Sequence, residues 1–240
     1  MVKGLLLRVG LTLFSIGLLG ILISSDARVV SLLMNTLLLT AATCGLSLPI
    51  GTILALLLTR ADVPLRRVAL VLMAAMLFIP LYLQAAAWSA GFGQLGWYSL
   101  SQGSFAAPLL SGWWAALWIH SAAAIPWVVL LVAVALSWRE STLEYAARLD
   151  GTPLQVFLHV TLRRCWPGMG VAALWIALTT AGEMTVTDLY SIRTFAEELY
   201  TGFALYENRG DIPGWRSALF LSIALTGLTV ATVGTVMEGM

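Results

Sequence analysis

Inside the hydrocarbon of a bilayer a backbone N–H or C=O finds no water, so a segment crosses by bonding to itself as a helix of about 20 mainly apolar residues. Six segments of this chain meet that requirement, near 5–23, 30–58, 68–89, 112–136, 168–190 and 217–236. They predict an all-α, polytopic membrane protein with about six transmembrane helices in a single domain, 1–240. Composition agrees. The chain is 60% hydrophobic and 10% charged, with a mean hydropathy of +0.90, outside the usual range for a soluble domain. The second segment is longer than a straight crossing needs, and "SLPIG" at Ser47–Gly51 predicts a proline kink within it. Lys3 and Arg8 give the first segment the look of a secretory signal, but "ILISSDARVV" offers no clear small-x-small cleavage site, so a retained span is expected.

The basic residues orient the spans. Lys3, Arg8, Arg60, Arg66, Arg67, Arg139, Arg148, Arg163 and Arg164 fall on one side, and Arg28, Arg193, Arg209 and Arg216 on the other. The positive-inside tendency makes the larger set cytoplasmic, together with both termini, in a cell (inner) membrane. On the opposite side, residues 90–111 are uncharged and rich in aromatics and glycine, as expected of an interfacial or partly re-entrant segment. Residues 191–216 carry mixed charge and should be solvated.

Several chemistries are disfavoured. A net charge of +1 leaves no concentrated basic face for nucleic acid. Lys3 is the only lysine, so no Walker-type phosphate loop exists in this chain. Cys44 and Cys165 lack metal-ligand spacing, and His120 and His159, the only histidines, offer neither triad nor metal geometry. No catalytic residue, resident metal or cofactor is expected. The tryptophans read as interface belts and packing.

One polar block, 137–167, interrupts the apolar pattern on the cytoplasmic side. Ser141 and Glu144 have capping-box spacing, which starts a helix through Ala146 and Ala147 that stops at Gly151. Thr152 and Gln155 form a second box with Pro153 at the first helical position. The new helix is expected to put Gln155, His159 and Arg163 on one face and Leu154, Phe157, Leu158, Thr161 and Leu162 on another, and to end before Pro167. Two capped starts in a long connection favour a protein-docking element over a simple loop.

The block resembles the E-A-A…G…I-x-L-P signature loop of the permease subunits of type I ABC importers. Ala146, Ala147 and Gly151 match its spacing, and Val160–Thr161–Leu162 is similar to its I-x-L portion. Tyr145 stands in place of the glutamate, with Glu144 one position earlier, and Arg163 in place of the proline. "GEMTVTD" at Gly182–Asp188, followed by "EELYTGFAL", looks most like the ferric-iron branch. The resemblance implies the type I ABC importer permease (MetI-like) fold and a coupling helix from Pro153 to about Val160. Glu144, Ala146, Ala147, Gly151, Pro153, Gln155, Phe157 and His159 would then dock on a separate ATPase subunit. It also implies a second permease unit, identical or homologous, and an extracytoplasmic substrate-binding protein. The cargo it suggests is ferric iron or another small cation. Sulfate or molybdate, thiamine or polyamine remain open, as does a non-transporting membrane scaffold.

Glu183 and Asp188 are the acids expected within a span, where an ionisable group is costly unless paired or wet. At 1.5 Å per residue from Pro167, Glu183 lies about 24 Å along and Asp188 close to the outer end. Both are candidates for the translocation pathway. For Glu183 the competing role is a tie to a hydroxyl, a backbone group or His120; for Asp188 it is an interfacial position.

Overall fold

The computed structural model describes residues 2–24, 27–102, 107–137, 147, 152–206 and 215–239. The expected Ser141–Glu144 cap, and with it Glu144, Ala146 and Gly151, lies outside them. Every described element is helical. Among the described residues α2 (Ala27–Arg60), α6 (Gly112–Ser137) and the run His159–Gly182 are long and apolar enough to cross a membrane, and a bent helix pair makes a fourth such span if its two arms count as one. In α1 (Val2–Ser24) and α11 (Trp215–Gly239) the apolar stretches are shorter, Leu6–Gly20 and Leu219–Gly234.

Helix α2 runs unbroken through Pro49. The third expected span, 68–89, does not run straight: α3 (Arg66–Met76) and the helices from Leu81 onward are bent by 106°. Pro80 is the cause. It disfavours helical backbone at the residue before it and has no N–H to donate. The chain therefore closes α3 with turns from the Leu77, Phe78 and Ile79 amides and restarts as α4 (Leu81–Phe92), with Pro80 extended at the N-cap (φ −56°, ψ 145°). A short α5 (Trp97–Ser101) follows, folded back by bonds from Ser99 Oγ to Gly93 O (2.8 Å) and from Leu110 N to Phe92 O (3.1 Å). Trp88, Phe92, Trp97, Tyr98 and Trp118 gather around this turn, giving the expected aromatic segment its packing.

Proline fails to end a helix elsewhere as well. The expected boundary at Pro167 is overturned: α7 (Pro153–Val156), a π-helical turn (Phe157–Thr161) and α8 (Leu162–Gly182) form one uninterrupted helical run with Pro167 inside it. A neighbouring helix and a local π adjustment are the conditions under which a membrane helix tolerates proline. The first is present here, where Gly168 sits tightly against Leu131 and Val132 of α6, whereas the π turn at Phe157–Thr161 lies earlier in the run. The fifth span also ends earlier than expected, at Gly182 rather than near 190. Glu183 turns extended (φ −86°, ψ 133°), and a separate α9 (Thr185–Leu189) begins two residues on.

The central core lies among α2, α6 and α8. Ala55 and Leu58, Val128, Val129 and Val132, and Cys165, Ala172 and Ile176 form one buried cluster, where Gly51 lets α2 approach Val128. In the segment expected to be solvated, α10 (Phe195–Tyr206) is tied to the start of α2 by Arg28–Glu198 (2.8 Å), Asn35 Nδ2 to Arg193 O (3.0 Å) and Phe195 N to Thr36 Oγ1 (3.0 Å). The first and last helices pack antiparallel. Gly10, Gly17, Gly227 and Gly234 meet the opposing backbone so closely that a Cβ would collide, the small-residue contact that membrane helices use in place of a hydrophobic driving force.

Candidate functional site

One bend and one helix break converge on a cavity of about 290 Å³ between the α3–α4 bend, the middle of α6 and the C-terminal end of α8. Its polar lining comes from Gln84, His120, Thr179, Thr180 and Glu183, and its largest apolar walls are Trp127 and Trp175. Spacing explains the convergence. Trp175 and Thr179 are four residues apart on α8, with Glu183 just past its end, and Trp127 follows His120 by seven on α6, so each pair lies along one helix face. The two indoles are in contact, with ring centroids 4.6 Å apart.

Glu183 does what the competing role required. Its Oε1 accepts from Thr185 N (2.6 Å) and Val186 N (3.1 Å), which caps α9, and its Oε2 approaches His120 Nε2 at 3.4 Å. The same carboxylate lines the cavity, so tie and lining are one group. Its side chain is 15% exposed and that of His120 3%. His120 Nδ1 lies 2.8 Å from Ala116 O. A carbonyl only accepts, so Nδ1 carries a hydrogen. Nε2 makes no hydrogen bond of adequate geometry. In the neutral ring it is an acceptor facing a second acceptor, Glu183 Oε2. Oε2 in turn accepts from Val186 N (3.1 Å), so backbone amides hold both oxygens of the carboxylate.

Asp188 stands apart, exposed in the last turn of α9 and outside the cavity lining. At the other end of the Pro153–Gly182 run the Thr152–Gln155 box forms: Gln155 Oε1 accepts from Thr152 N (3.1 Å), and Thr152 Oγ1 accepts from Gln155 N (3.4 Å). Gln155, His159 and Arg163 are exposed together and Thr161 is buried, matching the expected faces where they are described. Ala147 is half-buried, and the backbones of Pro153 and Phe157 are helical. Gln84, Trp127 and Trp175 were not expected at a site. The available signal was helical spacing measured outward from Glu183 and His120, which hydropathy does not register.

No family model matches this chain, and no curated protein does. Among solved structures it is similar to a chain of the MetNI methionine ABC transporter in inward-facing conformations, with 19% identity over 90% of this chain and 100% of that one, at a TM-score of 0.62. It is also similar to a chain of an amino acid ABC transporter solved with histidines, with 15% identity over 85% of this chain and 91% of that one, at a TM-score of 0.58. The likeness is one of fold: this is an all-helical, polytopic membrane protein with the fold of these ABC transporter chains.

Proposed function

We propose that the chain is the permease subunit of an ATP-driven importer, forming half of a translocation pathway and coupling to a separate ATPase subunit. The observation that carries the reading is the fold match along the whole of a transporter chain. One helical run, Pro153–Gly182, supports it by joining the capped polar block at one end to the Glu183 cavity at the other. In this reading Glu144, Ala146, Ala147, Gly151, Pro153, Gln155, Phe157 and His159 dock the ATPase subunit on the cytoplasmic side, where both termini also lie. A second permease unit completes the path, and an extracytoplasmic binding protein delivers cargo.

The cargo is a small cation, ferric iron being the instance the sequence resemblance names. An anion site would hold out free helix N-terminal amides. Here the Thr185 and Val186 amides are already taken by the chain's own carboxylate, which leaves the cavity lined by an acid. Asp188, exposed near the outer end, belongs to the entrance of the path.

Co-purification tests the coupling. A nucleotide-hydrolysing subunit should accompany the wild-type chain from its native membrane and be lost from a Gly151→Pro/Phe157→Asp variant; equal recovery with both would refute the docking element.

A further inference from the structure

We infer that the cavity beside the α3–α4 bend is a binding site for a small organic ammonium compound: its charged head sits at Glu183 and His120, and a flat apolar body reaches the indoles of Trp127 and Trp175. This deepens the permease reading, on which it rests, by making the small cation an organic ammonium in place of a metal ion.

The head position follows from the acid. The Glu183 carboxylate lines the cavity beside His120, whose Nδ1 donates to Ala116 O and whose Nε2 lies 3.4 Å from Glu183 Oε2. An ammonium head in the cavity donates its N–H groups to that carboxylate. Gln84 adds an acceptor: its Nε2 is committed to Ile79 O (3.0 Å), which leaves Oε1 for the ligand. The C-terminal ends of α3 and α8, at Met76 and Gly182, carry the negative ends of their helix dipoles to the same region.

The body position follows from the helix rise. Trp175 lies eight residues before Glu183, and Trp127 seven after His120, so the indoles stand about 10–12 Å from the acid. Indole faces contribute nothing to the oxygen and nitrogen shell of a bare metal ion, but they offer stacking area to a planar group. Among the described residues no three His, Cys, Asp or Glu side chains gather as metal ligands. The groups that are present suit an elongated amphiphilic amine of modest size, which a cavity of about 290 Å³ admits.

The test uses the full chain, with any subunits that accompany it, in phosphatidylglycerol nanodiscs. Calorimetric titration compares 4-phenylbutylammonium with the neutral 4-phenylbutan-1-ol. The ammonium should bind about ten-fold or more tighter than the alcohol; Glu183→Gln should weaken it about ten-fold and Trp175→Leu several-fold. Glutamine keeps the oxygen that caps α9, and Glu183→Asp, which keeps the charge, should retain most binding if the fold is intact. Equal binding of the alcohol, an unchanged Glu183→Gln, or Glu183-dependent displacement of the probe by ferric citrate would overturn the inference. Adding phosphatidylethanolamine separates the sources of the ammonium: competition assigns the site to a lipid headgroup, and its absence to a solute. Recovery of the nucleotide-hydrolysing subunit is read in parallel, so the permease reading can fail while the ammonium site stands, or the reverse.

Discussion

Thr152 and Glu183 flank the two ends of the Pro153–Gly182 run, and each caps a helix start in the same way, with a side-chain oxygen accepting from the amide three residues on. The surroundings differ. Thr152 is exposed and its cap is neutral, so water can replace either bond when it opens. Glu183 is mostly buried, charged and within reach of a histidine, so opening its cap would leave an ion and two amides with little water to turn to. A buried polar group is costly once its partners are removed, whereas an exposed one exchanges them. The same local grammar is therefore a fold device at one end and a site at the other.

The sharpest way to break this contrast is Glu183→Leu, which removes the cap, the His120 contact and the cavity's acid together. Losing one partner of a buried pair costs about 3–5 kcal/mol, and the length of the His120 contact, 3.4 Å, puts the expected loss at about 3 kcal/mol. Thermal unfolding in nanodiscs measures it. Glu183→Gln separates the two functions of the residue: it retains an oxygen for the Thr185 and Val186 amides, so unfolding should move by about 1 kcal/mol or less. If the chain is the importer permease proposed above, uptake should nevertheless fall strongly. Unchanged uptake would reduce Glu183 to a cap.

Between the two ends lies Gly168, whose absent Cβ lets α8 touch Leu131 and Val132 of α6. Gly168→Leu should cost about 1–3 kcal/mol by overpacking. If the run transmits motion as a unit, the variant should also lower nucleotide-driven uptake while leaving probe binding at Glu183 intact. Loss of both would mean that the two ends are not separable.

What the sequence made legible tracks how local each cause is. The second and fourth spans follow from hydropathy alone and appear as α2 and α6. The Thr152–Gln155 cap follows from spacing within four residues and appears with both bonds. The bend after Met76 was missed although Pro80 marks it, because Pro49, Pro126 and Pro167 all lie inside helices. Proline alone does not say which outcome holds; the packing around it decides. The cavity was legible only in part. Glu183 and His120 were singled out as a possible tie, but Trp127 and Trp175 look like belt residues until the chain brings two spans and a bend together.

The smallest expected effect lies at the exposed cap, and its size decides whether the comparison holds. Thr152→Ala removes the exposed hydroxyl that accepts from Gln155 N at 3.4 Å, already a long bond, and donates to Gln155 Oε1 at 3.0 Å, and it leaves the Thr152 amide still bonded to Gln155 Oε1. Caps of this kind contribute about 0.5–2 kcal/mol, and the length and exposure of this one place it at about 0.5 kcal/mol. Global unfolding should barely move. Hydrogen exchange of the amides from about Val156 to Val160, the first to have partners inside the run, should quicken by about two- to three-fold, since RT is about 0.59 kcal/mol and the helix frays from its capped end. Exchange around Thr185–Leu189 should not change, because α9 takes its cap from Glu183. Acceleration at both ends would show the run to be one cooperative unit whose starts are coupled, and the distinction between a fold device and a site would then rest on chemistry alone, not on independent local stability.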